Sequence, residues 1–223
     1  MSTCLIIGAS RGIGRELARQ YAADGWRVIG TYRGGADAAP LAALCARALA
    51  ADVLAEGWAA ALGRELGDEV LDLVIINAGI AGPITSQPEA PGRDTFDAVM
   101  HTNVLASMQL IPVIADRLPA AGKLAVVSSR MGSIGTASDA SWWLYRASKA
   151  ALNSVLKSAS ITLGARGVVC MALHPGWVQT DMGGPDAQLR VPDAVSSLRR
   201  VIAAANRSHN GRFLNYNGEQ LEW

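Results

Sequence analysis

Short apolar runs and helical stretches take turns along the chain, and that alternation limits its fold more than any other feature. Residues 3–7, 26–32, 46–51, 71–77, 123–129, 168–174 and 212–216 read as strands. Their apolar character is nearly continuous, the pattern of parallel strands covered on both faces. Between them, 12–24, 37–45, 54–67, 92–118, 142–165 and 191–206 read as helices. The alternation predicts an α/β fold, a doubly wound, Rossmann-type, mostly parallel seven-stranded sheet with helices on both faces. With 223 residues, no internal repeat and no linker-like stretch, 1–223 reads as a single domain. Such a sheet binds its ligand beyond the carboxyl ends of the strands, so the chemistry is sought there.

The formal net charge is +1 and the arginines are scattered, which gives no electrostatic footprint for nucleic acid. No apolar run approaches the ~18 residues that span a bilayer, so no membrane partner is expected. The start passes straight into a strand with no charged leader, and a cytoplasmic protein without a signal peptide is expected. Cys4, Cys45 and Cys170 are odd in number and lie in apolar surroundings, as buried free thiols of a reducing compartment do. His101, His174 and His209 are too dispersed to suggest a metal site.

After the first strand comes Gly8-Ala9-Ser10-Arg11-Gly12-Ile13-Gly14, and then a helix opens. Glycines there allow a tight turn and the close approach of a pyrophosphate, and the helix start offers free N–H groups. An NAD site usually carries an acidic residue at the end of the second strand. Here the chain reads Thr31-Tyr32-Arg33-Gly34-Gly35, with no acid before Asp37. Arg33, with Arg11 in the glycine loop, suits the forked recognition of a 2′-phosphate, so NADP(H) is favoured over NAD(H). Asp52-Val53 follows the third strand, where the aspartate can meet an adenine amino group, cap the helix expected from Leu54, or both. The fourth strand ends in Asn77-Ala78-Gly79, small residues where a ligand crosses. The sixth leads into His174-Pro175-Gly176-Trp177-Val178-Gln179-Thr180, a turn whose threonine hydroxyl can bond a carboxamide.

Tyr145 and Lys149 stand four apart on a helix and so share a face. A free phenol, with a pKa of about 10, is a poor base at neutral pH. A neighbouring ammonium is expected to lower that value and make the pair a proton-transfer device. Asn103 falls on the apolar stripe Phe96, Val99, Met100, Val104, Met108 and Ile111, so its amide needs partners. Ser129 ends the fifth strand, where a hydroxyl can hold a substrate oxygen; no nucleophile elbow surrounds it.

Taken together and in this order, these motifs resemble the short-chain dehydrogenase/reductase family over essentially the whole chain. The Tyr145–Lys149 run, the 174–185 run and the ending near Asn215-Tyr216 are most similar to its C-factor-like and sniffer-type carbonyl reductases. The resemblance implies that Tyr145 is the acid/base and that Lys149 lowers its pKa and binds the nicotinamide ribose. Ser129 would polarise the substrate oxygen, and Asn103 would distort its helix and hold a water leading to Lys149. It further implies a cofactor cradle of Gly8, Ser10, Arg11, Gly12, Ile13 and Gly14, with Arg33, Asp52, Val53, Asn77, Ala78 and Gly79 beyond it. Pro175, Gly176, Val178 and Thr180 complete that cradle. Ile7 stands where the family usually has a loop-tethering Thr, and Ile76 where it often has a second Asn. The interval from Ser129 to Tyr145 is longer than in most relatives, which leaves Ser128 or Ser133 as alternatives for the hydroxyl.

Met131, Trp143 and Trp177 flank this region in sequence. They are expected to line an apolar pocket for a small hydrophobic aldehyde or ketone (or its alcohol), unless the tryptophans pack instead in the core or at a subunit contact. The small face Ala147, Ala151, Ser154 and Ser158 suits close helix approach. A homodimer or homotetramer through the 92–118 and 142–165 helices is the default in the family. The competing function is a nucleotide-binding regulatory or signalling protein that makes little catalytic use of the fold.

Overall fold

In the computed structural model, which describes residues 1–223, seven strands form one sheet. They are β1 (Thr3–Ile7), β2 (Arg27–Tyr32), β3 (Arg47–Ala50), β4 (Leu73–Ile76), β5 (Lys123–Val127), β6 (Val169–His174) and β7 (Arg212–Asn215). Their order is β3-β2-β1-β4-β5-β6-β7, and every neighbouring pair is parallel. The chain leaves β3 at one edge and returns as β4 beside β1. That reversal opens a crevice at the carboxyl ends of β1 and β4, where open α/β sheets take their ligands.

Seven helices cover the sheet: α1 (Gly12–Ala23), α2 (Ala38–Ala42), α3 (Trp58–Leu66), α4 (Arg93–Met100), α5 (Ala106–Ile114), α6 (Trp143–Ala165) and α7 (Val191–Ala204). Strand side chains alternate between two cores. Leu5, Ile7, Val74 and Ile76 meet Leu62 of α3, Leu110 of α5 and Leu152 of α6 on one face. Cys4, Ile6, Leu73 and Ile75 meet Leu17 of α1 and Leu198 of α7 on the other. Burial on both faces is why these strands read as unbroken apolar runs. Each fully buried Leu or Ile contributes about 1.5–3 kcal/mol, so this packing holds the site's framework rigid.

Several expected boundaries move. The third helix begins at Trp58, behind a left-handed Gly57, and not at Leu54. Asp52 therefore does not cap it; its carboxylate accepts from the Leu54 amide (3.0 Å) and closes a turn. The stretch 37–45 becomes a 3-10 turn and the five-residue α2. The stretch 92–118 is interrupted by a π-helical turn, His101–Leu105, between α4 and α5. A π turn holds an extra residue and rotates the next turns of helix about the axis. Val99, Val104 and Ile111 are buried, whereas Phe96 and Met108 are 43% and 53% exposed. By length and composition alone, Arg93–Arg117 would pass for a membrane span; its Val99, Leu110 and Ile114 are buried in the protein. The three cysteines are free, and burial pushes the thiols of Cys45 and Cys170 up to about 11 and about 12, so neither is a thiolate nucleophile at neutral pH.

Candidate active site

The glycine loop is pinned from two sides. The Gly8 amide donates to the Thr31 hydroxyl on β2 (2.9 Å), and the Asn77 amide group donates to the Gly8 carbonyl (2.8 Å). Thr31 thus supplies the tether that Ile7 cannot, and Asn77 supplies another from the end of β4. Gly8 has φ +80°, and a Cβ there would lie 2.9 Å from Ala78 Cα. A Cβ at Gly14 would collide with the Gly8 carbonyl oxygen. The chain therefore crosses itself too closely for any side chain at these two positions. Arg11, just before α1, makes no side-chain cap, so the first N–H groups of that helix keep their donors free of one.

Further along the crevice, Arg33 stands exposed at the end of β2. Arg11 points elsewhere: its guanidinium pairs with Asp181 (2.9 Å) in the loop after β6, both side chains being exposed. The structure therefore separates the two arginines that the sequence grouped. Asp52 and Val53 lie half-buried beyond β3.

The reacting groups sit on α6 and the turn after β5. Tyr145 and Lys149 are both buried, at 8% and 4% exposure. The Lys149 ammonium donates to the Val127 carbonyl (2.9 Å) and lies 5.6 Å from the centre of the Tyr145 ring. Burial, not the ammonium, dominates the phenol: it is pushed up to about 12, against a smaller pull from the Ser129 hydroxyl. The expected lowering of the tyrosine is therefore not found, because burial disfavours the phenolate and the Ser129 hydroxyl offsets only part of that. Lys149 is itself held down at about 8 by burial.

Ser129 caps a 3-10 turn, Arg130–Gly132, by accepting from the Met131 amide (3.2 Å). The alternatives for its role, Ser128 and Ser133, line the same cavity as Ser129, and each has a hydrogen-bond partner of its own. Ser128 donates to Asn153 Oδ1 (2.6 Å), and Ser133 turns to the Trp223 carbonyl (3.5 Å). Asn103 lies within the π turn, 1% exposed. Its Oδ1 accepts from the Ile80 amide, and its Nδ2 donates to the Ile80 carbonyl and the Ser148 hydroxyl, all at 2.9 Å. A Cβ on Gly79 would come within 3.3 Å of both Asn103 Oδ1 and Lys149 Nζ, so the crevice passes directly over these two.

A cavity of about 820 Å³ joins the parts. Ser129 and Tyr145 line it, as do Ile13 of the glycine loop and Pro175, Gly176, Val178 and Thr180 after β6. Thr180 is engaged within its own loop, accepting from the Gly183 amide (3.1 Å) and donating to the Val178 carbonyl (3.3 Å). Of the three expected pocket residues, Met131 and Trp177 line the cavity. Trp143 does not: its indole donates to the Glu89 carbonyl (2.9 Å) beside a separate hollow of about 220 Å³. Its neighbour Trp142 takes the place, with its indole against the Tyr145 ring. The signal was present in the spacing, since positions three apart share a helix face and positions two apart do not. Arg130, His174 and Leu221 also line the cavity and were not anticipated. Burial and the Arg130 charge hold His174 down at about 4, so its imidazole is neutral.

A model of the short chain dehydrogenase family matches residues 2–189. The C-signal protein of Myxococcus xanthus is 41% identical over 158 residues, which span 69% of this chain and 93% of that protein. Among solved structures, a short-chain dehydrogenase/reductase from Burkholderia multivorans with bound NADP superposes with a TM-score of 0.92 at 33% identity, covering 100% of this chain and 99% of that one. The carbonyl reductase Sniffer of D. melanogaster superposes at 0.88 with 29% identity, both chains being covered in full.

Proposed function

Because this chain belongs to the short-chain dehydrogenase/reductase family, we propose that it is an NADP(H)-dependent oxidoreductase acting on a small, apolar aldehyde or ketone, or on the corresponding alcohol. One observation carries the reading: Ser129 and Tyr145 line the same cavity as Ile13, beside the glycine loop's last turn, and Pro175, Gly176, Val178 and Thr180. The dinucleotide fits the residues present, since the Gly8 and Gly14 positions leave no space for a Cβ and the first N–H groups of α1 carry no side-chain cap. Gly8, Ser10, Gly12, Ile13 and Gly14 would hold its pyrophosphate, Asp52 and Val53 its adenine, and Asn77, Ala78 and Gly79 its middle. Arg33 would take the 2′-phosphate, with no acidic side chain at that strand end to repel it. Pro175, Gly176, Val178 and Thr180 would border the nicotinamide, which when bound exchanges a hydride with the substrate carbon.

The chain's own part is to manage charge and a proton on the substrate oxygen. Ser129 Oγ holds that oxygen, and Tyr145 keeps its hydroxyl proton at neutral pH and gives it up as negative charge builds there. Lys149 supplies a positive charge from behind, where no bulk water screens it. Asn103, through Ile80 and Ser148, fixes the start of the segment after β4 against α6. We further infer a single domain, a cytoplasmic location and a homodimer or homotetramer, consistent with three free thiols, two of them buried, and an open face on α6.

The test is NADPH consumption with a panel of aldehydes and quinones, beside NADH and beside Tyr145→Phe. Turnover with NADPH, weaker turnover with NADH, and a loss of 100-fold or more in Tyr145→Phe are expected, since a positioned proton donor contributes about 10²–10⁴-fold. Equal rates in wild type and Tyr145→Phe remove the proton-donor role. Bound NADPH without consumption by either favours the regulatory protein.

A further inference from the structure

Trp142 is one of two non-glycine residues with a left-handed backbone, at φ 57° and ψ 33°; the other is Ala121, in the turn before β5. A bulky residue avoids that region because its Cβ crowds the following carbonyl, and it stays there only when its surroundings over-determine it. Here they do. The Trp142 amide donates to the Thr85 carbonyl and the Trp142 carbonyl accepts from the Arg146 amide, each at 2.9 Å. The indole stands edge-on to the Tyr145 ring, with centroids 5.9 Å apart and planes at 68°. The approach to it is tied down as well, by Arg146 donating to the Ser141 carbonyl and to the Asp139 carboxylate.

None of this needs a tryptophan. Asparagine or glycine adopts a left-handed backbone more readily, and Trp142 makes no side-chain cap for α6. What the indole does is wall the cavity next to the two hydroxyls that face a substrate oxygen. Met131, Trp177 and Met182 stand around the same space, giving it soft, polarisable apolar sides.

We propose that Trp142 sets the substrate class of this site: a flat ring borne by the carbonyl carbon lies against its indole, so aromatic aldehydes and aryl ketones are taken in preference to short aliphatic ones. This rests on the reductase reading. It adds that the strained backbone is kept because it aims the indole at the reacting groups.

The full chain is assayed with NADPH against benzaldehyde and against propanal, as wild type and as Trp142→Phe, Trp142→Leu and Trp142→Gly. In the wild type kcat/KM favours benzaldehyde. In Trp142→Gly and Trp142→Leu that ratio falls about tenfold or more, mainly through KM for benzaldehyde, as loss of one pocket wall should give. Trp142→Phe, which keeps a flat face, restores most of the ratio, and NADPH affinity is unchanged in all three. An unchanged ratio in the leucine and glycine variants overturns the inference while the reductase reading stands. A Trp142→Gly that fails to fold leaves leucine against phenylalanine to decide in the same way. Wild type that binds NADPH but turns over neither aldehyde overturns the reductase reading, and this inference with it.

Discussion

Tyr145 and Lys149 are each pushed by burial towards their neutral forms, to about 12 and about 8. A phenol that holds its proton is an acid ready for carbonyl reduction and a poor base for alcohol oxidation. The two directions should therefore respond differently to pH. Reduction stays level up to about pH 8 and declines above it, as Lys149 loses the charge that steadies the developing alkoxide. Oxidation climbs through the same range, because the ionised fraction of a phenol well below its pKa grows about tenfold per pH unit. Profiles of kcat that run parallel in the two directions would remove Tyr145 from the proton path. Lys149 also bears on stability. The unfolded chain keeps that proton up to about pH 10.4 and the folded chain releases it near 8, so the unfolded state binds more protons in between. Unfolding free energy should rise by about 3 kcal/mol across that window, and Lys149→Met should flatten the rise in urea titrations.

Among elements, the crossing of the glycine loop with the end of β4 is the least forgiving. Gly14→Ala drives a methyl group into the Gly8 carbonyl, a collision with backbone that no rotamer relieves. Overpacking of this kind costs about 1–3 kcal/mol, a drop of several degrees in Tm, and NADPH binding should weaken at least tenfold because the loop itself must move. Gly34→Ala is the control: nothing lies within 4 Å of a Cβ there, and its φ of −110° suits any residue. Equal Tm and equal NADPH affinity for both variants would show that the crossing is softer than its geometry implies. The π turn belongs at this scale too. It interrupts a long apolar helix, buries Asn103 and lets that side chain bond across to Ile80 and Ser148.

For the molecule as a whole, the notable surface is the outward side of α4, α5 and α6. Ala147, Ser154 and Ser158 are exposed there, with Ile161, Met108 and Phe96 at 72%, 53% and 43%. Small residues allow helices to approach closely, and clustered open apolar side chains mark association surfaces. Ile161→Asp should therefore move the sedimentation coefficient at micromolar concentration from that of a dimer or tetramer to that of a monomer. Wild type that already sediments as a monomer would refute the pairing.

Much of this protein was legible in its order of residues. Unbroken apolar runs come from strands buried on both faces, and the Tyr145–Lys149 pairing comes from the pitch of a helix. The glycine loop comes from the need for a turn without side chains. All three are properties of neighbours along the chain, so the amino-acid order was enough to establish them. Packing in three dimensions was needed to show that Thr31 tethers the loop in place of the residue at position 7, and that Ser128 and Ser133, which line the cavity together with Ser129, hydrogen-bond to Asn153 and Trp223. It was needed to bring Trp142 and not Trp143 against Tyr145. It also reversed the expected direction of the tyrosine's pKa. The reason is common to these cases: hydrogen-bond partners tens of residues away and the depth of burial are set by packing, and no local period carries them.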